Sequence, residues 1–323
     1  MQNKLYVALS LFFFSSCLYS NDLLTDYRLN GIKDIEKHMD EELAKTEYWD
    51  SYLKNTDNTF GYIESYSNVL TCDKTKSTLC LYVKNEKKTY KLKKEYAAYT
   101  GKNKGDKVKE GDLSTPIGIY NITSKIAKLD PFYGPVAFVT SYPNSYDKYK
   151  GRDGHGIWIH GLPTETKRDD FTKGCIAINN DNIECLNKNL DINQTLLIIN
   201  DAEISKNISK TTLSTILAQL YAWRHAWLYN DVDTYLNFYS TDFIRFDGMS
   251  YQNFINYKHR IFQKSENKTI IFSDINVLPY PNDSDIYKIS FKEYYKSNSF
   301  EFTGDKVLMI KLIENTIKII TEK

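Results

Sequence analysis

A histidine and a cysteine, each followed or preceded by glycine, stand fifteen positions apart near the middle of the chain. Residues 154–161 read Gly-His-Gly-Ile-Trp-Ile-His-Gly, and residues 172–179 read Thr-Lys-Gly-Cys-Ile-Ala-Ile-Asn. A thiol must lose its proton to act as a nucleophile, and histidine is the usual acceptor near neutral pH. Glycine lets the backbone turn sharply and approach a bound molecule closely. His160 and Cys175 are therefore predicted to be the base and the nucleophile of one site.

The residues before His160 predict the element that must position it. If Ile157 to His160 form a strand, successive side chains point to opposite faces. Ile157 and Ile159 then face the core, while Trp158 and His160 share the other face. Trp158 is therefore a candidate wall of the site, and the alternative is ordinary core packing.

The two runs resemble the active-site motif of the L,D-transpeptidase (YkuD) family. In that motif a strand ends in His-Gly, and a variable loop leads to Ser/Thr-x-Gly-Cys and a hydrophobic residue. The run Thr-Pro-Ile-Gly-Ile-Tyr at residues 115–120 resembles a further segment of the family, and the resemblance covers roughly residues 80 to 200. One branch is especially similar: the murein L,D-carboxypeptidases that affect cell shape in helical bacteria. The matching motif residues are His160, Gly161, Thr172, Gly174, Cys175 and Ile176.

The resemblance implies a reaction at a peptide bond. Cys175 attacks the carbonyl before the terminal D-alanine of a murein tetrapeptide stem, and His160 accepts the thiol proton. The carbonyl of Gly161 is expected to orient the imidazole, and the backbone N–H groups of Gly174 and Cys175 to stabilise the oxyanion. No metal and no other cofactor are expected.

The same resemblance implies a substrate that ends in a carboxylate, which a nearby cation would hold. Arg168 and Lys173, in the polar loop 162–173, are the candidates, although either could be a solvated loop charge. Trp158 and Thr172 complete the predicted substrate-binding set. Two residues depart from the pattern: many relatives have histidine where Lys173 stands, and arginine or asparagine where Ala177 stands.

Three functions remain open at this point. An acyl-enzyme on Cys175 could pass to water, which gives an L,D-carboxypeptidase that makes tripeptides. It could pass instead to an amine, which gives an L,D-transpeptidase. In the third alternative the catalytic domain is degenerate and the chain is a module that binds glycan or protein. We favour the carboxypeptidase because the branch resemblance extends to both ends of the chain.

Composition indicates little about partners, whereas the N-terminus predicts that the protein is exported. The chain has 323 residues and a formal net charge of +1, which gives no overall case for nucleic acid as a partner. Residues 1–20 resemble a secretory signal, with Lys4 before the apolar run Leu5 to Phe14 and small residues after it. Cys17 raises the alternative of a lipoprotein. We expect export to the periplasm with cleavage of this signal.

The remaining chain divides into three parts of an α+β fold. Residues 21–68 are predicted to be helical, residues 69–203 to be mostly β, and residues 204–323 to be helices followed by a curved antiparallel sheet. The second part is the L,D-transpeptidase-like domain, and the third resembles the NTF2-like cone fold. Asp181 and Asp231 are predicted to cap helices, Thr195 to Ile199 to form a closing strand, and the lysine-rich residues 84–109 to be a solvated face. The helical segment is too small to form its own core, so it must pack on the next domain or on a partner chain. The resemblance implies a homodimer through these helices.

Two further predictions concern side chains outside the catalytic motif. The cone is expected to enclose a pocket for a small ligand or glycan. Cys72 and Cys80 could pair as a disulfide or remain free thiols, and the sequence leaves both alternatives open. Five C-terminal residues are candidates to line the pocket, with ordinary core or surface placement as the alternative: Trp223, Arg224, His225, Trp227 and His259.

Overall fold

The computed structural model describes residues 23–164, 169–204 and 206–323. The signal expected at residues 1–20, Cys17 and the candidate substrate cation Arg168 all lie outside the described residues. The described chain has the predicted α+β architecture, with N-terminal helices and two sheets. Among the residues it covers, no helix is both long enough and apolar enough to cross a lipid bilayer.

The helices begin close to the residues that the apolar spacing indicates. Asp231 caps a C-terminal helix as predicted, because its side chain accepts a hydrogen bond from the N–H of Thr234. The helix predicted to begin at Asp181 is capped instead by Asn179, whose backbone is still extended and whose side chain accepts from the N–H of Asn182. Residues 23–30 are helical, and the further α-helices are α1 (Ile32–Leu43), α2 (Thr46–Leu53), α3 (Ser145–Tyr149), α4 (Asn180–Asn189), α5 (Lys210–Leu228), α6 (Val232–Asn237) and α7 (Tyr251–Phe262).

Thirteen strands of the described chain form two sheets. The short strand β1 joins the C-terminal sheet although it lies in the segment predicted to be helical. The strands are β1 (Tyr62–Ile63), β2 (Asn68–Asp73), β3 (Thr78–Lys84), β4 (Tyr90–Ala97), β5 (Gly118–Ile126), β6 (Ala137–Thr140), β7 (Trp158–His160), β8 (Ile176–Ala177), β9 (Thr195–Asn200), β10 (Thr269–Pro279), β11 (Ile286–Lys296), β12 (Glu301–Ile313) and β13 (Thr316–Glu322).

The first sheet carries the two motif runs at one end. Its strand order is β4-β3-β2-β9-β5-β6-β7-β8. The closing strand predicted at Thr195 to Ile199 is present as β9, the last strand of this sheet in chain order. It lies in the middle of the sheet, parallel to β2 and antiparallel to β5. All six residues of β9 are buried, which explains why the sequence there is a continuous apolar run rather than an alternating one.

The two candidate disulfide cysteines are free thiols on opposite faces of this sheet. Cys72 pairs with Leu79 across the β2–β3 hairpin, while Cys80 pairs with Thr71. Each thiol packs in a different hydrophobic cluster. Burial raises the pKa of Cys72 to about 12 and that of Cys80 to about 11. The alternative of two free, buried thiols is therefore the one that the structure contains.

The N-terminal helices pack on the C-terminal domain of the same chain. Trp49 and Leu53 of α2 are buried in its core cluster, and each such side chain contributes about 1.5–3 kcal/mol when removed from water. Asp40 of α1 forms a buried ion pair with Arg224 of α5, with 2.9 Å between Oδ1 and Nη1. The two helices therefore use the third part of the chain for their core, and not the next domain as predicted.

The C-terminal domain has the predicted helices and curved sheet. Strands β1 and β10 to β13 pair in sequence order, all antiparallel, and α5, α6 and α7 pack against them. The pairing is interrupted between Ser273 and Asn276 and between Met309 and Ile310. Such irregularities bend strands, and they allow this sheet to curl around the helices.

Candidate active site

The pairing of two short strands brings His160 and Cys175 to one cleft. Strands β7 and β8 are parallel, with Ile159 opposite Ile176 and His160 opposite Ala177. Both isoleucines are fully buried, so they fix the strand ends in the core. His160 is the last residue of β7 and Cys175 directly precedes β8. Both line a cleft of about 420 Å³.

His160 is held in one orientation by its own neighbour. Its Nδ1 lies 2.6 Å from the carbonyl oxygen of Gly161. A carbonyl can only accept, so Nδ1 carries the hydrogen, and Nε2 holds the lone pair of the neutral ring. The edge of the Tyr133 ring packs on the imidazole at a centroid distance of 5.1 Å. The expected contact between His160 and the Gly161 carbonyl is thus present, and it leaves Nε2 as the basic atom.

Gly161 has no room for a side chain. A Cβ there would stand 2.4 Å from Oδ1 of Asn180 and 3.0 Å from Cδ of Pro135. The Asn180 amide oxygen accepts a hydrogen bond from the N–H of Leu162 at 2.8 Å, which fixes the chain just beyond the histidine. Gly161 is therefore required for close packing beneath His160. Asn180 is a supporting residue that the sequence did not reveal.

The Cys175 sulfur lies among backbone groups of the strand that carries the histidine. The N–H of Trp158 donates to Sγ at 3.4 Å. The carbonyl of Gly156 lies 3.4 Å from Sγ and accepts from the thiol form. A backbone N–H directed at sulfur stabilises the thiolate. The shape of the backbone around residues 156–158 thus contributes to the environment of the nucleophile.

Thr172 and Gly174 organise the turn that presents the cysteine. The Thr172 hydroxyl donates to the carbonyl of Cys175 at 2.6 Å and accepts from the N–H of Gly174 at 3.0 Å. The Gly174 N–H, predicted to be an oxyanion donor, is therefore bonded within the turn. The Thr172 hydroxyl, predicted to contact substrate, makes two bonds within the turn, and Thr172 also lines the cleft. In this structure both groups hold the turn that presents Cys175.

Lys173 and Trp158, the other described candidates for substrate contact, lie in different surroundings from each other. Lys173 is exposed and lines the cleft. Trp158 shares a face with His160 as predicted, but its ring packs at 5.2 Å on Tyr133, and it is Tyr133 that lines the cleft. The alternation along β7 correctly indicated the face. It could not show that a tyrosine from a distant loop would cover the tryptophan.

Lys107 is a cleft residue that the sequence reasoning missed. It belongs to a lysine-rich stretch interpreted as a solvated face, yet it is only 3% exposed. Its Nζ lies 2.8 Å from Asp112 Oδ1 and 3.0 Å from the carbonyl of Lys109. Burial of Asp112 opposes ionisation. However, the hydrogen bonds from Lys107 and from the N–H groups of Val108, Ser114 and Lys109 outweigh it and hold the Asp112 pKa well below its usual range.

The C-terminal cone also contains a cavity, of about 520 Å³. Of the five candidates, Trp227 lines it, whereas Trp223 is fully buried in the core and Arg224 pairs with Asp40. His225 packs on Tyr229, and His259 is not among the residues that line the cavity. Two residues outside this set of five bring ionisable groups into the cavity wall. Lys258, whose pKa burial lowers to about 8, and Glu293, whose Oε2 is buried without a hydrogen-bond partner, both face the cavity.

Two families match separate parts of the sequence. Residues 67–199 match the L,D-transpeptidase catalytic domain (YkuD), and residues 215–323 match the Cds6 C-terminal NTF2-like domain. A putative L,D-transpeptidase YafK of Escherichia coli strain K12 is 34% identical over 113 residues, which is 34% of this chain. The match spans 42% of the length of that relative.

Solved structures resemble the chain over nearly its whole length. The helical cell shape determining protein Pgp2 from Campylobacter jejuni is 36% identical with a TM-score of 0.80. The match covers 87% of this chain and 99% of that one. Bd1075 from Bdellovibrio bacteriovorus is 25% identical with a TM-score of 0.65, and the match covers 83% of this chain and 96% of that one. The N-terminal helices, the catalytic sheet and the cone therefore recur together.

Proposed function

The chain belongs to the L,D-transpeptidase family and shares its full layout with Pgp2, and from this membership we propose that it is a murein L,D-carboxypeptidase. It removes the terminal D-alanine from tetrapeptide stems and leaves tripeptides. The observation that supports the proposal is the placement of Nδ1 of His160 on the Gly161 carbonyl, in a cleft that also holds Cys175. That placement leaves Nε2 as the ring nitrogen that can accept the thiol proton.

Each atom of the reaction can be followed through this site. His160 accepts the thiol proton at Nε2, and the Cys175 sulfur attacks the carbonyl carbon of the third stem residue. The bond from that carbon to the D-alanine nitrogen then breaks, and the nitrogen takes the proton from the imidazolium. Water next gives a proton to Nε2 and attacks the thioester. The tripeptide carboxylate leaves, and the thiol is regenerated.

Transfer to water rather than to an amine is proposed from the layout of the whole chain. The three-part arrangement is that of a protein described as determining helical cell shape, and we propose the same cellular role here. Incubation with disaccharide-tetrapeptide plus an excess of a D-amino acid separates the two reactions. Tripeptide alone supports the carboxypeptidase, whereas an exchanged tetrapeptide or a cross-linked dimer would assign the transpeptidase.

The N-terminal signal leads to a proposal about location. Peptidoglycan is assembled outside the cytoplasm, and we propose that the mature protein acts in the periplasm after cleavage within residues 1–20. Determination of the mature N-terminus by mass spectrometry tests this, and it also distinguishes cleavage before a lipid-modified Cys17. A full-length chain retained in the cytoplasm would contradict the proposal.

Lys173 is proposed to hold the carboxylate of the terminal D-alanine. The side chain is exposed at the cleft, where an ion pair contributes about 0.2–1 kcal/mol. We therefore expect Lys173→Gln to raise KM by up to about fivefold with little change in kcat. Lys188→Gln, which removes an exposed lysine of α4 away from the cleft, is the matched control. Equal KM values for the two variants would remove Lys173 from the substrate site.

The N-terminal helices offer a surface for a homodimer. Leu24, Leu29 and Ile32 are each more than 60% exposed, although α1 and α2 are already packed on the C-terminal domain. We propose that a second copy covers this apolar surface. Light scattering of the purified protein should then give a dimer for the wild type and for Leu92→Glu, but a monomer for Leu29→Glu. If the wild type were a monomer at about 50 µM, a concentration in the micromolar range of weak association, the dimer proposal would be contradicted.

A further inference from the structure

A buried cluster of charges joins the cleft to the C-terminal domain. The guanidinium of Arg152 contacts Oδ2 of Asp106 through Nη2 and lies 3.2 Å from Oδ1 of Asp147 through Nη1. The Arg152 side chain is 11% exposed, and that of Asp147 is fully buried. Buried charges of this kind persist only where partners compensate for lost hydration. We refer to Asp106, Asp147 and Arg152 as the Arg152 clamp.

One end of the clamp holds the loop that walls the cleft. Asp106 directly precedes Lys107, which lines the cleft. Oδ1 of Asp106 also accepts a hydrogen bond from the N–H of Ile117 at 2.8 Å. The same loop pairs at Gly101 with Thr172, the residue that holds the turn before Cys175. A displacement of Asp106 would therefore move both the cleft wall and the support of the nucleophile.

The other end of the clamp lies on the helix that docks on the C-terminal domain. Asp147 belongs to α3, and its Oδ2 accepts the N–H of Asn144, which caps that helix. The Asn144 side chain donates to the hydroxyl of Tyr280 at 3.0 Å, across the domain boundary. Lys288 of β11 is buried, and the charge of Asp147 acts on it. Burial lowers the Lys288 pKa to about 8, while the Asp147 carboxylate favours its charged form.

We propose that Arg152 is a positioning residue that makes the shape of the cleft depend on the docked C-terminal domain. Arg152 connects the cleft loop to α3. On the C-terminal domain, Tyr280 holds the cap of α3 by a hydrogen bond, and Lys288 interacts with the charge of Asp147. The kinetic part of this inference rests on the proposed carboxypeptidase function. Its structural part, the order of the loop at residues 101–116, does not.

If Arg152 only stabilised the fold, its loss would lower turnover no more than the loss of any other buried ion pair. The chain contains a second such pair that serves as the control. Arg224 and Asp40 also form a buried ion pair between two segments, with side chains 11% and 5% exposed. That pair joins α1 to α5 and does not contact the cleft. Arg224→Gln therefore removes the same type of interaction without touching the loop. It reports how much turnover falls when a buried ion pair is simply lost.

The experiment compares full-length mature variants at a temperature well below their unfolding midpoints. We expect Arg152→Gln to lower kcat/KM for the tetrapeptide about 10- to 100-fold, the effect of misplacing catalytic groups by about 1 Å. Arg152→Lys should recover only part of this, because an ammonium cannot contact two carboxylates in the same fixed geometry. Arg224→Gln should stay within about twofold of wild type. Equal losses in Arg152→Gln and Arg224→Gln would overturn the inference.

Hydrogen–deuterium exchange tests the dependence on the other domain. Amides of residues 101–116 should exchange faster in Arg152→Gln, in Lys288→Met and in Tyr280→Phe, but not in Arg224→Gln. The double variant Arg152→Gln/Lys288→Met should exchange no faster than Arg152→Gln alone, because both act through Asp147. Unchanged loop exchange in Lys288→Met and in Tyr280→Phe would overturn the link to the C-terminal domain. If the wild type released no D-alanine, the proposed function would fail, while the exchange comparison would still decide the inference.

Discussion

Replacing Cys175 with alanine is expected to lower D-alanine release by at least about 10⁴-fold, in the range seen when a catalytic nucleophile is removed. The sulfur forms the covalent bond to the stem peptide, and no second thiol lines the part of the cleft that the structure describes. The measurement is the rate of D-alanine release from disaccharide-tetrapeptide. The thermal unfolding midpoint, recorded in parallel, should change little, because Cys175 is only partly buried and alanine removes a single atom from it.

Cys185 supplies the matched control for this experiment. It is half-buried on α4 and lies 3.6 Å from the Lys94 ammonium, away from the cleft. We expect Cys185→Ala to retain activity within about twofold, as for substitutions that leave the reacting atoms untouched. Alkylation with iodoacetamide should inactivate the wild type and Cys185→Ala equally. If Cys175→Ala kept wild-type turnover, the acyl-enzyme mechanism would be wrong.

Replacing His160 with glutamine is expected to lower kcat by about 10²–10⁴-fold, the usual contribution of a positioned general base. Glutamine keeps a donor that can reach the Gly161 carbonyl, but it cannot accept a proton. The variant should therefore fold and bind substrate with nearly unchanged KM. Iodoacetamide should also alkylate Cys175 more slowly near neutral pH in this variant, because less of the sulfur is present as thiolate.

His155 is the control histidine. It lies at the same cleft, 79% exposed, with Nδ1 at 3.6 Å from Glu110 Oε1. An exposed pair of this kind contributes little, so His155→Gln should change kcat by less than about threefold. A comparable loss in both variants would mean that the cleft as a whole, rather than the His160 ring, supports turnover. Full activity of His160→Gln would require another base.

The sequence correctly predicted what depends on local patterns. The period-two alternation at residues 157–160 placed His160 and Trp158 on one face, because side-chain direction along a strand is fixed by the backbone alone. The cap at Asp231 was likewise correct, since capping involves only the next three residues. The His160 contact with the Gly161 carbonyl is also local, between neighbours in the chain.

The features that the sequence did not show are side-chain contacts and strand neighbours that form when the chain folds. Nothing near Trp158 indicates that Tyr133 covers it, and nothing near Lys107 shows that its ammonium turns inward to Asp112. The sequence predicted the strand β9 but not its place in the middle of the sheet, which depends on pairing with the distant strands β2 and β5. The motif also does not show that the Thr172 hydroxyl accepts a hydrogen bond from the Gly174 amide. Each of these needs the tertiary fold.

The most direct test is a product analysis by mass spectrometry of disaccharide-tetrapeptide incubated with the mature protein, with Cys175→Ala alongside. We expect tripeptide and free D-alanine in equal amounts with the wild type, and unchanged tetrapeptide with the variant. Cross-linked or exchanged products would assign the transpeptidase instead. Unchanged tetrapeptide with the active-site cysteine intact would contradict the catalytic proposal, and saturable binding under those conditions would favour a module that grips peptidoglycan.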